Sequence, residues 1–140
     1  MPTTTAPETV IDRIENASPL DPVVKSVRKI VNAALGPQVV RDALHGLWLG
    51  HPLHPMLTDV PIGAWTSAAV LDLLPGTGPA ATTLIATGCA AAVPTAVTGW
   101  ADWSQLHPPQ QRVGLVHAVS NAIGIGLFTA SVIARLNGRT

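Results

Sequence analysis

Histidine is the residue type in this sequence best suited to chemistry, and two of the five histidines, His51 and His54, share the segment GHPLHP at 50–55. Each precedes a proline, which disfavours the helical conformation in the residue before it, so we predict an extended, stiff loop. Residues three apart in a polyproline helix lie ~9 Å apart along the axis, whereas ligand nitrogens sit ~2.1 Å from a shared metal ion. We therefore predict separate roles for His51 and His54.

A third histidine, His117, lies within a run of residues without charge and is followed four positions later by Asn121. Residues four apart share a face of a helix, so Asn121 can orient the imidazole by a hydrogen bond. Two interpretations stay open. His117 is a ligand of a cofactor or metal, or it is a structural histidine satisfied by a neighbour such as Asp59 or Asp102.

Two kinds of cofactor site fit these side chains. Haem b would draw its axial ligands and its polar contacts from His51, His54, His117, Arg112 and Asn121. A non-haem metal or proton-relay site would use His51, His54, Asp59 and His117. The alternative is a non-catalytic membrane scaffold or partner-docking module whose histidines are structural. No serine or cysteine nucleophile with an evident base is visible, and enzymatic activity is left open.

The composition indicates that a membrane surrounds these residues. The chain is 47% hydrophobic and only 11% charged, against a usual charged share of about 25%. No charged residue occurs in 73–101 or in 113–134, and each run can cross a ~30 Å hydrocarbon core. A third candidate span covers about 56–74, with Asp59 and Asp72 near its ends. We predict an all-α membrane bundle with three transmembrane helices; the alternative is a buried helical hairpin in a soluble protein.

The segment before the spans is predicted to contain an amphipathic helix over about 22–35 and a shorter helix over about 38–49. In the first, an apolar arc opposes a basic one that contains Lys25, Arg28 and Lys29, a pattern typical of a helix in the lipid headgroup plane or against a partner protein. The predicted organisation is a mobile tail at 1–20, interfacial helices at 21–50, a transmembrane domain at 51–136 and a tail at 137–140.

Antiparallel alternation of three spans gathers most polar residues at one membrane face. That face is predicted to hold His51, His54, Asp59, Trp100, Asp102, Trp103, His107, Arg112, His117 and Asn121. The basic residues Lys25, Arg28, Lys29 and Arg41 close to the spans favour the cytoplasm for this face by the positive-inside rule. We therefore predict Lys25 and Arg112 on the cytoplasmic side and Arg139 on the opposite side. We also expect an ion pair between Asp102 and Arg112, and the two tryptophans as interfacial anchors.

Further expectations concern partners. The formal net charge is zero, which gives no basic field for nucleic acid. The single cysteine, Cys89, supplies neither a disulfide framework nor an iron–sulfur site.

In the third span, small residues recur every fourth position from Ala118 to Ala130. Such a seam lets helices approach closely, in this bundle or in a homo-oligomer; alanine and glycine abundance explains it equally well.

The segment at 44–74, LHGLWLGHPLHPMLTDVPIGAWTSAAVLDLL, resembles the bacterial membrane family called domain of unknown function 2231, and TGWADW and VGLVHAVSN fit its second and third helices. The resemblance implies a multi-helix domain of the bacterial inner membrane. Similar proteins carry a fused Rieske-type iron–sulfur domain, which implies a Rieske-like or quinol partner in electron transfer. The sequence ends soon after the third predicted span, so we expect neither a fourth helix nor a Rieske domain within it.

Overall fold

The protein is described here by a computed structural model that covers residues 6–138, and this part of the chain is helical without any strand. The helices are α1 (Ala6–Glu15), α2 (Asp21–Leu35), α3 (Gln38–His45), α4 (Leu53–Leu71), α5 (Gly78–Ser104) and α6 (Pro108–Leu136). Short 3-10 helices cover Ser18–Leu20 and Leu47–Leu49. The all-α prediction is therefore confirmed, while residues 1–5 of the predicted tail, together with Arg139 and Thr140, lie outside the described residues.

The helix α1 occupies part of the segment that we assigned to a mobile tail. It packs against α6, and the guanidinium of Arg112 donates a hydrogen bond to the carbonyl oxygen of Glu15 at the end of α1. This contact joins residues 97 positions apart. A pattern within the first twenty residues could not predict it.

The boundaries of α2 and α3 follow local signals. As predicted, α2 ends before Gly36, whose left-handed φ of +68° turns the chain, and Pro37 follows. The second predicted helix is shorter than expected because α3 ends at His45. Gly46 has a φ of +77°, and a Cβ at this position would collide with the backbone carbonyl of His51. Only glycine allows the tight loop that leads into α4.

Two of the three predicted spans are supported by length and composition. α5 has 27 residues and α6 has 29, and both are apolar enough to cross a membrane. No residue in the most apolar 18-residue stretch of α6 is buried within the chain, so this helix needs apolar surroundings from outside. α4 has 19 residues but is not among the candidate spans of residues 6–138. The third span stays a prediction.

The long helices pack with α5 between α4 and α6. A small core forms where Ala68 of α4 meets Ala81 and Ile85 of α5. Beside it the rings of Trp65 and Phe128 stack at a centroid distance of 4.3 Å, which joins α4 directly to α6. The outer part of the small-residue seam, from Ala122 to Ala130, is exposed, so this chain alone does not use it for packing.

Candidate functional site

Polar side chains meet at the end of the bundle where α4 begins, α5 ends and α6 begins. Near this end His54 of α4 contacts Thr95 of α5. Trp103 and Gln111 exchange hydrogen bonds across the turn into α6, with an indole N–H to carbonyl distance of 2.8 Å. The three helix ends therefore lie together, as antiparallel alternation predicted.

His54 lies partly buried between α4 and α5. Its Nδ1 is 2.9 Å from the carbonyl oxygen of Thr95, and since a carbonyl can only accept, Nδ1 donates and Nε2 keeps a lone pair. The ring lies against Gly99, where a Cβ would be only 2.7 Å from Cε1 of His54. A residue without a side chain at 99 thus makes room for the imidazole.

The extended conformation predicted for His54 is wrong, because α4 already begins at Leu53. Pro55 falls in the first turn of this helix, where the N–H that proline lacks would have no partner within the helix. His51 lies outside the helix and is exposed, and its Nδ1 donates to the carbonyl oxygen of Pro52 at 2.9 Å. The two histidines have different partners, as predicted.

His117 is exposed on the side of α6, and Asn121 lies 2.8 Å from its Nε2. The prediction that Asn121 orients the ring is confirmed. The proposed neighbours Asp59 and Asp102 are wrong, because the hydrogen bond to the ring comes from within α6. The same amide nitrogen donates to the carbonyl oxygen of His117 at 3.1 Å, so it is the NH₂ group that donates to Nε2, and in the neutral ring Nδ1 carries the proton.

The two contacts between α4 and α6 join residues at one sequence offset. Asp72 pairs with Arg135 at 2.6 Å, and these residues are 63 positions apart. The stacked pair Trp65 and Phe128 has the same separation, so over this segment the two helices run in the same direction. His54 and His117 are related by the same offset in the sequence.

The helical period relates each histidine to an aromatic residue on its own helix. Each histidine precedes its aromatic residue by eleven positions, which is about three turns and leaves a rotation of only about 20°. His54 therefore shares a side of α4 with Trp65, and His117 shares a side of α6 with Phe128. Gly99 of α5 lies against His54. We call the part of α4 and α6 between these histidines and the Trp65–Phe128 stack the α4–α6 cleft.

Asp59 does not join either histidine. It follows His54 by five positions, which is about 140° around a helix, and it is exposed. Residues 6–138 contain no group of three or more histidine, cysteine or acidic side chains placed to hold a metal ion. The predicted set His51, His54, Asp59 and His117 is thus not gathered into one cluster.

Arg112 points away from the cleft, toward the N-terminal helices. Its Nε donates to Asp21 at 2.8 Å, and this hydrogen bond lowers the pKa of the Asp21 carboxyl below its usual value. The predicted ion pair between Asp102 and Arg112 is wrong. The packing of α1 and α2 on α6 offers Arg112 a closer carboxylate and a backbone acceptor.

Asp102 instead pairs with His45, at 2.6 Å between the carboxylate and Nδ1. Sequence reasoning assigned no role to His45, and a separation of 57 positions hides this pairing from any local pattern. Trp103 also lacks the exposed position that is expected of an interfacial anchor. It is only 4% exposed, because its indole packs against Gly114 of α6.

Among the described residues, α5 and α6 are long and apolar enough to cross a membrane, which is consistent with a helical membrane protein. A family model described as predicted membrane protein (DUF2231) matches residues 50–140, which is more than half of the chain. The chain therefore belongs to this family. No curated protein and no solved structure matches it.

Proposed function

We propose that this protein is a redox subunit of the bacterial inner membrane that binds haem b in the α4–α6 cleft, where His54 and His117 would hold it. The observation that supports this most is that His54 and His117 have the same offset of 63 positions as the contacting pair Asp72 and Arg135, an offset that the stacked pair Trp65 and Phe128 also has. Ligands from two separate helices can hold opposite faces of one haem. When bound, haem would supply one-electron exchange with a Rieske-like or quinol partner.

The surroundings of both imidazoles favour ligation over a purely structural role. The carbonyl oxygen of Thr95 holds His54 in one tautomer, and Asn121 fixes the rotation of His117. Hydrogen bonds of this kind orient ligating histidines and tune their basicity. The lack of a side chain at Gly99 lets the ring of His54 lie directly against α5. Toward the other end, the Trp65–Phe128 stack joins α4 to α6.

The proposed ligand set is smaller than the one expected from the sequence. His51 lies in the exposed loop before α4 and donates to the carbonyl oxygen of Pro52, so it is left out. Arg112 is held by Asp21 and by the end of α1, so we do not assign it to a haem propionate. Asn121 stays in the set as a positioning residue, because it contacts the ring of His117.

The cleft requires α4 to span the membrane beside α5 and α6. Its 19 residues give ~28 Å at 1.5 Å per residue, close to the hydrocarbon thickness. The apolar edge of α2 formed by Val23 and Ile30 is half or more exposed, with Lys25 and Lys29 on other faces. This supports α2 in the headgroup plane and the polar end in the cytoplasm.

Orientation can be tested by cysteine labelling in a Cys89→Ala background. We expect single cysteines at Lys25 and Arg112 to label from the cytoplasmic side, and one at Arg139 from the opposite side. Labelling of all three from one side would contradict three spans.

The cofactor can be tested on the full chain purified in detergent from cells supplied with iron and a haem precursor. We expect a reducible Soret band and about one haem per chain. Bound metal without that band would replace haem by a metal site. Protein with neither, although folded by circular dichroism, would favour a scaffold or docking module whose histidines are structural.

A further inference from the structure

A second pair of histidines borders a separate pocket at the polar end. The pocket has a volume of about 220 Å³ and is lined by His45, Gly46, Leu47, Gly50, His51 and Pro52. It is formed by the loop between α3 and α4. The proposed haem ligands His54 and His117 do not line it.

Two glycines give this loop its shape. Gly46 and Gly50 have φ values of +77° and +69°, a region that side chains disfavour. The backbone of His51 lies so close to Gly46 that a Cβ there could not fit. The loop therefore closes on itself, and His45 and His51 both line the pocket.

Both rings have the same hydrogen-bond arrangement. Nδ1 of His45 is 2.6 Å from a carboxylate oxygen of Asp102, and Nδ1 of His51 donates to the carbonyl oxygen of Pro52. Neither Nε2 has a hydrogen-bond partner among the described residues. An imidazole that donates one N–H to a carboxylate or carbonyl and leaves the other nitrogen bare is the usual state of a metal-ligating histidine.

We infer that His45 and His51 bind one divalent transition-metal ion of the kind that prefers imidazole, such as Zn²⁺. Water molecules complete its coordination, because the pocket offers only two protein ligands. Asp102 is a positioning residue that fixes the tautomer and the ring orientation of His45. This inference does not rest on the proposed haem site, since the two sites share no ligand.

The test is Zn²⁺ titration of the full chain in detergent, purified without a polyhistidine tag. We expect one Zn²⁺ per chain, with binding lost in His51→Ala, an exposed position whose change leaves the fold intact. His45→Asn keeps a donor toward Asp102 but has no bare ring nitrogen, so it should lose Zn²⁺ as well. Asp102→Asn should weaken binding by about 10–100-fold, as outer partners of metal-bound histidines do. His107→Ala is the matched control and should bind normally.

A spectroscopic readout separates ligation from structural support. Cu²⁺ bound to the wild-type protein should show hyperfine coupling to two nitrogens in electron paramagnetic resonance, and to one in His51→Ala. Unchanged Zn²⁺ affinity in both His51→Ala and His45→Asn would overturn the inference. If His54→Ala loses haem but still binds Zn²⁺, the two sites are independent, as the inference requires.

Discussion

The two ends of the α4 and α6 pair are held in different ways. At the far end, the stacked rings of Trp65 and Phe128 and the ion pair of Asp72 with Arg135 join the helices directly. At the polar end, His54 contacts α5 and His117 contacts its own helix. Direct side-chain contacts thus hold α4 against α6 at the far end, whereas at the polar end, where we propose that the two imidazoles share a ligand, His54 and His117 make their hydrogen bonds to α5 and within α6.

The largest change in stability is expected from Trp65→Ala at the far end. The indole stacks on Phe128, donates to the carbonyl oxygen of Ile85 at 3.3 Å and lies against Gly88. Its removal leaves a cavity, so the free energy of unfolding should fall by about 3 kcal/mol. Unfolding in mixed detergent micelles measures this.

Trp48→Ala is the control for that substitution. Its side chain is 70% exposed, so we expect a much smaller loss. Equal losses for the two tryptophans would mean that the aromatic stack does not hold α4 to α6.

A smaller but more local effect is expected from Gly99→Ala at the polar end. The new methyl group would lie 2.7 Å from Cε1 of His54, so the ring or α5 must move, at a cost of about 1–3 kcal/mol. Haem binding should fall together with stability. Gly126→Ala is the matched control, because nothing lies within 4 Å of a Cβ there.

A Gly99→Ala protein with normal haem content and stability would show that His54 does not need its present position against α5. The proposed difference between the two ends would then not hold for the polar end.

The smallest effect is expected from Asp72→Asn. The hydrogen bond from Arg135 lowers the pKa of Asp72 below its usual value. The ion pair therefore stabilises the folded state fully when the pH is above the usual aspartate pKa of about 3.9. This stability is lost as the pH falls through the lowered pKa of the folded state. The unfolding temperature of the wild type should therefore drop more steeply in acid than that of Asp72→Asn.

Asp59→Asn serves as the control for this pH dependence, because Asp59 is exposed and has no ion pair within residues 6–138. It should leave the acid profile of the wild type unchanged. If the unfolding temperatures of Asp72→Asn and the wild type fall equally in acid, the ion pair does not stabilise the contact between α4 and α6.

The sequence predicted those features that depend on local periodicity. Long runs without charge predicted α5 and α6, and the four-residue spacing predicted the hydrogen bond of His117 with Asn121. The gathering of three helix ends followed from alternation alone. None of these needs knowledge of which side chains meet across the bundle.

The remaining features depend on distant partners. Whether Arg112 pairs with Asp21 or Asp102 is decided by the packing of α2 on α6, over 91 positions of sequence. The loop that brings His45 beside His51 depends on a close backbone approach at Gly46. The helical conformation of His54 is not predictable from HPLHP, because a proline can mark either an extended segment or the first turn of a helix.

The central claim is that His54 and His117 hold one cofactor from two helices. The most direct measurement is the haem content per folded chain in matched histidine variants, taken from pyridine haemochrome spectra and circular dichroism. We predict about one haem in the wild type, in His51→Ala and in His107→Ala, and its loss in His54→Ala and in His117→Ala. Equal haem content in the wild type and His117→Ala would contradict the claim.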